Sequence, residues 1–402
     1  MNQQEYQVEA EDYLNTLCSV KPNRRLGSVG NRAATEFFAD KMKASGFLVD
    51  VTPFKCLDYE SKEPSLTHKN LHFEVKLSPY SLGCDVEAEL IVASTVDELE
   101  KCECHDKILL LKGEICSEQL MPKNFVFYNP DHHKKIYKLL EEKQPKAIIT
   151  ATGKNPLMVG NMYPFPLIND GDFDIPSVYC TDIEGERIAA KAGQAFKLRA
   201  EAKRIPTTAS NVIVRKNPEA QKKITICAHI DAVEDSPGAS DNASGVTVLL
   251  LLAEMLKNYQ GGFGIEIVAF NGEDHYSVGG QMDYLNRYSD SLNQMLLAIN
   301  IDDVGYIKGK MAFSFYGCPA EIQQKAQAAF SKYPNLAEGE QWYQGDHMIF
   351  AQNQKPTIAL TSSEVAELMS SITHSPRDTP EIIDYSKLVE LAYALESLVT
   401  AF

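Results

Sequence analysis

KITICAHIDAVEDSPGASDNASGVTVLLLLA, residues 223–253, changes character twice in thirty residues. It opens on the near-continuous apolar run KITICA (223–228), which suits a strand buried on both faces of a parallel sheet. It closes on a leucine-rich segment, predicted as a helix from about Ala243 to Tyr259, started by Asp241/Asn242 and ended by Gly261-Gly262. Between them lie His229, Asp231, Glu234, Asp235 and Asp241 in a Ser/Gly/Asn/Pro loop. A strand, a polar loop and a helix in that order is the repeating unit of open α/β sheets, whose ligand crevice lies beyond the carboxyl ends of the strands.

The pattern recurs downstream. GIEIVAF (264–270) leads through Asn271-Gly272 into Glu273-Asp274-His275, MLLAINI (295–301) leads into Asp302-Asp303, and TIALT (357–361) precedes a loop containing His374. The expected class is therefore α/β, with a mixed, largely parallel sheet flanked by helices. Upstream, residues 5–18 and 31–45 carry apolar positions at three- and four-residue spacing, the second stretch following RRLGSVGN (24–31) and stopping at Gly46. GSVGN lacks the spacing of a dinucleotide or nucleoside-triphosphate loop and reads as a turn before a helix.

From about 55 to 205 the texture is different. Short apolar strands at Lys107–Leu111, Lys146–Thr150 and Ile175–Cys180 alternate with turns, and Asp182–Ala192 is the one evident amphipathic helix. His68, His72, His105, His132 and His133 have no acidic partner at ligand spacing in this stretch. The division expected is one domain from 1–54 and 206–402, and an inserted β-rich domain over 55–205.

The totals bound the function. Net charge is −16 over 402 residues, so phosphate and anionic-lipid surfaces would repel the chain, and neither a nucleic-acid nor a membrane partner is expected. The leucine run Val248–Ala253 is far too short to span a bilayer. No basic start followed by an apolar stretch opens the chain, and nine scattered cysteines without a CxxC pair suit reduced thiols, so the expected compartment is the cytoplasm. Cys102-x-Cys104 lacks a second pair at zinc-finger spacing and reads as two ordinary thiols.

Each acidic or histidine residue at the strand ends has an ordinary reading alone. Asp241 caps helices more often than it does anything else, Asp302 ends a strand, and His374 before Ser-Pro is a loop residue. Their convergence on one edge of one sheet changes this, because packed carboxylates repel unless a cation neutralises them. Two histidines with three or more carboxylates suit zinc, and five ligands with one shared carboxylate suit two ions rather than one. HExxH, GxSxG and the Walker signature are absent.

These residues resemble the di-zinc aminopeptidases of peptidase family M28. The similar motifs are AHIDAVEDSPGASDNASGV (228–246), VAFNGEDHYSVGGQMDYL (268–285), NIDDVG (300–305), GDHMIF (345–350) and THSPRDTPEIID (373–384), with RRLGSVGNRAATEFFADKMKASGF (24–47) similar to the family's N-terminal helices. Residues 55–205 resemble the protease-associated (PA) domain that many members carry as an insertion. The resemblance implies a zinc-exopeptidase, phosphorylase/hydrolase-like fold. It also implies two Zn2+, with other divalent metals as alternatives: His229 and Asp302 on one ion, Asp274 and His374 on the other, Asp241 bridging. Glu273 would be the general base for a di-zinc-activated water, Asp231 would fix the tautomer of His229, and His347 would lie near the substrate pocket. The implied activity is removal of N-terminal residues from peptides with a free N-terminus, by a chain that is compatible with oligomerisation. Asp274 stands where the family more usually has glutamate, and Asp303 where an apolar residue is more usual; Asp303 and His275 are expected to be neighbours rather than extra ligands. A single-zinc, glutaminyl cyclase-like enzyme and a non-catalytic binding relative are the alternatives, separable by metal content.

Overall fold

Eight strands form the sheet that the leucine-rich helix covers: β1 (Leu48–Ser61), β2 (Ala202–Lys216), β3 (Lys223–His229), β4 (Gly264–Phe270), β5 (Met295–Ile301), β6 (Met311–Tyr316), β7 (Leu336–Glu338) and β8 (Thr357–Ser362). Their order is β1-β2-β4-β3-β5-β8-β6-β7. The computed structural model describes residues 1–154 and 162–402. The chain divides into two compact units, Met1–Cys56 with Thr208–Phe402, and Leu57–Thr207.

In the first unit, β4, β3, β5 and β8 are mutually parallel, so their carboxyl ends share one edge. Antiparallel partners close the sheet on each side: β2 beside β4, and β6 beside β8. Every residue of β3, β4 and β8 is buried, which is why these segments read as near-continuous apolar runs rather than alternating ones. The longer helices are α1 (Gln3–Cys18), α2 (Val29–Ala44), α3 (Gly245–Met255), α4 (Gly279–Tyr288), α5 (Ala320–Phe330) and α6 (Tyr385–Thr400), with shorter ones at Met348–Ala351 and Val365–Ser371. Asn2 and Ser28 cap the first two by accepting from the N–H groups of Glu5 and Asn31.

Val246 to Ala253 of α3 are all buried, as expected of a helix apolar on every side. It packs between β3 and the helices α1, α2 and α6. Each fully buried leucine there contributes roughly 1.5–3 kcal/mol by leaving water. The sheet edge, with its ligands, therefore rests on an incompressible base.

A buried carboxylate lies within the sheet. Glu266 in β4 is buried and accepts from Lys223 Nζ (2.7 Å), Arg215 Nε (2.9 Å) and Tyr284 Oη (2.7 Å).

The second unit is a mixed α/β fold built on an eight-stranded sheet. Cys84–Ala93, Ile108–Leu111, Ala147–Thr152 and Ser177–Thr181 run parallel, and Ala195–Ala200 lies antiparallel to the first of these. Helices Val96–Lys101, Asp131–Lys143 and Asp182–Ala189 accompany them. Asp131–Lys143 was not expected, although its buried positions His133, Ile136, Tyr137 and Leu140 follow helical spacing; two histidines at its start mask the apolar stripe. Separate apolar clusters include one around Leu109, Leu140 and Phe165 and one around Leu110, Ile149 and Phe196. At its two chain crossings, Lys62 N–H donates to the Glu201 carbonyl (3.0 Å), and Lys62 Nζ meets Glu201 Oε2 at 2.7 Å. Among the described residues no helix is long and apolar enough to cross a membrane.

Candidate metal centre

Four strand ends deliver the five side chains. His229 is the last residue of β3, Asp302 follows β5, Asp274 lies four residues beyond β4, and His374 sits in the loop after β8 with φ +56°. Asp241 comes from the irregular turns of Ala239–Ser244 that precede α3, where its own φ and ψ are −110° and 90°. That departure from helix geometry turns its carboxylate toward the sheet edge instead of leaving it as a cap.

Asp241 stands between the two imidazoles. Its Oδ1 is 3.1 Å from His229 Nε2 and its Oδ2 is 3.0 Å from His374 Nε2. Asp302 Oδ1 flanks His229 Nε2 at 3.4 Å, and Asp274 Oδ1 flanks His374 Nε2 at 2.7 Å. The arrangement is two His/Asp pairs sharing one two-faced carboxylate. The shorter side chain at 274 reaches as far as the set requires.

These close approaches are not all hydrogen bonds. His229 Nδ1 and Nε2, Asp274 Oδ2 and Asp302 Oδ1 are buried with no hydrogen-bond partner among the described residues. Orphaned buried polar atoms are costly, and several converging on one point fit a cation held among them. Imidazole nitrogen with carboxylate oxygen is a donor set that zinc accepts.

The electrostatics agree. Burial opposes charge on His229 and His374, yet the surrounding carboxylates outweigh it and raise both imidazoles well above the usual histidine value. Burial pushes the Asp274 and Asp302 carboxyls up, aided by Asp241, whereas on Asp241 it is overcome by the two histidines, which hold that carboxyl below its ordinary value. Glu273 is half-buried, and burial with the nearby Asp274, Asp302 and Asp346 charges raises it well above an ordinary glutamate.

Asp231 is fully occupied elsewhere. Its Oδ1 accepts the N–H groups of Gly272 (2.7 Å) and Glu273 (3.2 Å), and its Oδ2 accepts that of Asp274 (3.2 Å). Its distance to His229 Nδ1 is 3.7 Å, beyond hydrogen-bond length. Asp231 thereby grips the turn that carries Glu273 and Asp274 while lying beside the His229 ring. His347 is fully buried: its ring packs on Trp342 and Tyr316, its Nε2 is 2.9 Å from the Trp342 carbonyl, and burial pushes it down to about 4. Asp303 accepts from Ser240 Oγ (2.7 Å), and His275 Nδ1 meets Ser277 Oγ (3.0 Å) in its own turn.

Several supports were not singled out from the sequence. Asp378 accepts the N–H groups of Ser240 (2.7 Å) and Asp241 (3.1 Å), fixing the segment of the shared carboxylate; burial raises it to about 7. Arg24, almost fully buried, donates to the carbonyls of Ile230, Leu17, Pro237 and Gly238 and so staples the loop after β3. Asp346 takes Gln281 Nε2 at 2.6 Å. Gly345 has φ +114°, and a Cβ there would meet the Trp342 ring at 2.8 Å and Asp302 Oδ2 at 3.4 Å, so only glycine lets both approach. Asp378 lies within the THSPRDT motif and Asp346 within GDH, which was the available signal.

One expectation fails in the second unit. His132 and His133 do have an acidic partner: Glu118 Oε1 lies 2.9 and 3.2 Å from their Nε2 atoms, and the three could hold an ion by distance. The fold, not sequence spacing, joins them. Met121 N–H, however, donates to His133 Nδ1 (3.1 Å), which leaves the proton on Nε2 facing Glu118 and no lone pair there for a cation.

Residues 211–399 match the family model described as peptidase family M28. The chain is 30% identical over 164 residues to aminopeptidase YwaD of Bacillus subtilis, an overlap of 40% of this chain and 34% of that protein. It is 23% identical over 292 residues to the probable lipoprotein aminopeptidase LpqL of Mycobacterium tuberculosis, covering 69% and 54%. The chain thus spans a third to a half of the length of these relatives. A crystal structure of a zinc aminopeptidase from Bacillus subtilis superposes with a TM-score of 0.76 at 20% identity, over 98% of this chain and 95% of that one.

Proposed function

We propose, from the match of residues 211–399 to the model of peptidase family M28, that this protein is a zinc-dependent aminopeptidase that removes N-terminal residues from peptides. The reading rests on one observation above all: the two oxygens of Asp241 face one imidazole each, and each imidazole has its own second aspartate. His229 and Asp302 would hold one zinc, His374 and Asp274 the other, and Asp241 both. When bound, such a pair supplies Lewis acidity toward the scissile carbonyl and the nucleophilic water, and a positive site for a free amine.

Glu273 would act beside that pair rather than as one of its ligands. Its carboxylate, held by the turn that Asp231 grips, takes the proton of the attacking water and delivers it to the departing amine. A carboxyl lifted above its ordinary value is a better match to both halves of that transfer than an exposed glutamate would be. Asp231 and Asp378 hold the backbone on either side of the reacting groups. His347, neutral and buried, holds Trp342 in place through its carbonyl, and the inserted unit is read as a protease-associated-like module.

Glu273→Gln tests this. The substituted protein is expected to keep its metal while kcat toward aminoacyl chromogenic substrates falls by ~10²–10⁴-fold. Undiminished turnover with metal retained would remove Glu273 from the reaction. Metal analysis of the parent separates the readings, since two zinc ions per chain fit the aminopeptidase and one fits a cyclase.

A further inference from the structure

At the opposite edge of the sheet from the metal centre, a cavity of about 220 Å³ opens where β2 ends and β3 and β4 begin. Arg215, Lys216 and Lys223 line it, with Glu266 as their sole acidic companion in the wall. Arg215 shares Glu266 with Lys223 and reaches Asp50 Oδ2 at 3.5 Å. Lys216 pairs with no carboxylate among the described residues; its Nζ donates to the Lys257 carbonyl and lies 5.0 Å over the Phe47 ring. Three cations thus answer to two anions, in a chain whose net charge is −16. Glu266 is 1% exposed and Lys223 9%, so water screens that pair poorly, and the half-buried Lys216 beside it carries the excess positive charge.

We propose that this cavity binds a small phosphate-class oxyanion, with Lys216 and Lys223 as its charged donors. Lys223 has donor capacity beyond Glu266 and Ser291 Oγ (3.2 Å), and Ser291 and Gln294 add polar groups to the wall. Gly264 lies at the rim without a side chain; a Cβ there would come within 3.1 Å of the Asn217 carbonyl. The space exceeds that of several waters at ~30 Å³ each, enough for a phosphate bearing a short organic group. The site is independent of the peptidase reading and lies a full strand length from it.

Calorimetric titration of the metal-loaded protein with inorganic phosphate at constant ionic strength tests the proposal, with glycerol phosphate as a second arm to separate free phosphate from a monoester. The expected result is a saturable binding component that Lys216→Gln weakens by ~10-fold or more and Lys216→Arg retains. Lys216→Gln should leave aminopeptidase turnover unchanged, so loss of this component is distinguishable from any binding of phosphate at the metal centre. No saturable component, or one identical in the parent and Lys216→Gln, overturns the proposal.

Discussion

The five candidate ligands depend on groups that never touch a metal. Asp231 spends both oxygens on three consecutive backbone amides, an arrangement that fixes where Glu273 and Asp274 stand relative to each other. Replacing it by asparagine sets an NH₂ group against at least one of those N–H donors. Asp231→Asn is therefore expected to lower kcat/KM by ~10–100-fold and to weaken metal retention in the same range, as loss of such supports usually does; steady-state kinetics beside metal titration would show it, and a variant indistinguishable from the parent would deny the role. Residue types at strand ends were enough to nominate His229, Asp241, Asp274, Asp302 and His374, because each is chemically conspicuous where it occurs. Asp231's backbone partners were not legible: hydrogen bonds to main-chain amides depend on where a turn folds back, which no side-chain pattern records.

At the scale of elements, β4 and β5 fall on the segments their apolar runs mark, residues 264–270 and 295–301. Full burial makes such strands the plainest signal in an α/β sequence. The helix Asp131–Lys143 was less legible, its charged residues outnumbering its apolar ones. Within β4, Glu266 makes a distinct contribution. Burial alone would raise its carboxyl, but Lys223, Tyr284 and Arg215 outweigh burial and hold it below the ordinary glutamate value. A lowered folded value means that its stabilisation is present above the unfolded value near ~4.3 and disappears as pH falls through the folded one. Urea unfolding across an acidic pH series should thus show a falling limb below roughly pH 4 that Glu266→Gln flattens. The same substitution should cost ~3 kcal/mol at neutral pH by leaving the buried Lys223 without its carboxylate. A limb unchanged in Glu266→Gln would locate the acid sensitivity elsewhere.

For the whole molecule, the metal centre draws on four strand ends from His229 to His374, and on Arg24 far upstream. It can exist only once the first unit is assembled. The carboxylates that raise His229 and His374 keep those imidazoles protonated to higher pH than usual without metal, so an incoming ion must displace protons. Apparent zinc affinity, measured by competition with a chelator, is expected to climb steeply with pH below the raised imidazole values and to level off above them. A flat profile would mean that the two histidines are not ligands. Because binding selects the folded state, chelation at fixed pH should lower unfolding free energy by at least ~3 kcal/mol when zinc stands at a hundred times its dissociation constant.

The joint between Lys62 and Glu201 has a further implication. The strands on its catalytic side, β1 and β2, are neighbours in one sheet, so the points where the second unit leaves and rejoins are already as near as the two arms of a hairpin. Closing such a gap takes a two-residue turn, and a flexible excursion of any length between the same points adds only a slowly growing entropy penalty. The length of chain between β1 and β2 can therefore vary while the two strands stay neighbours in one sheet.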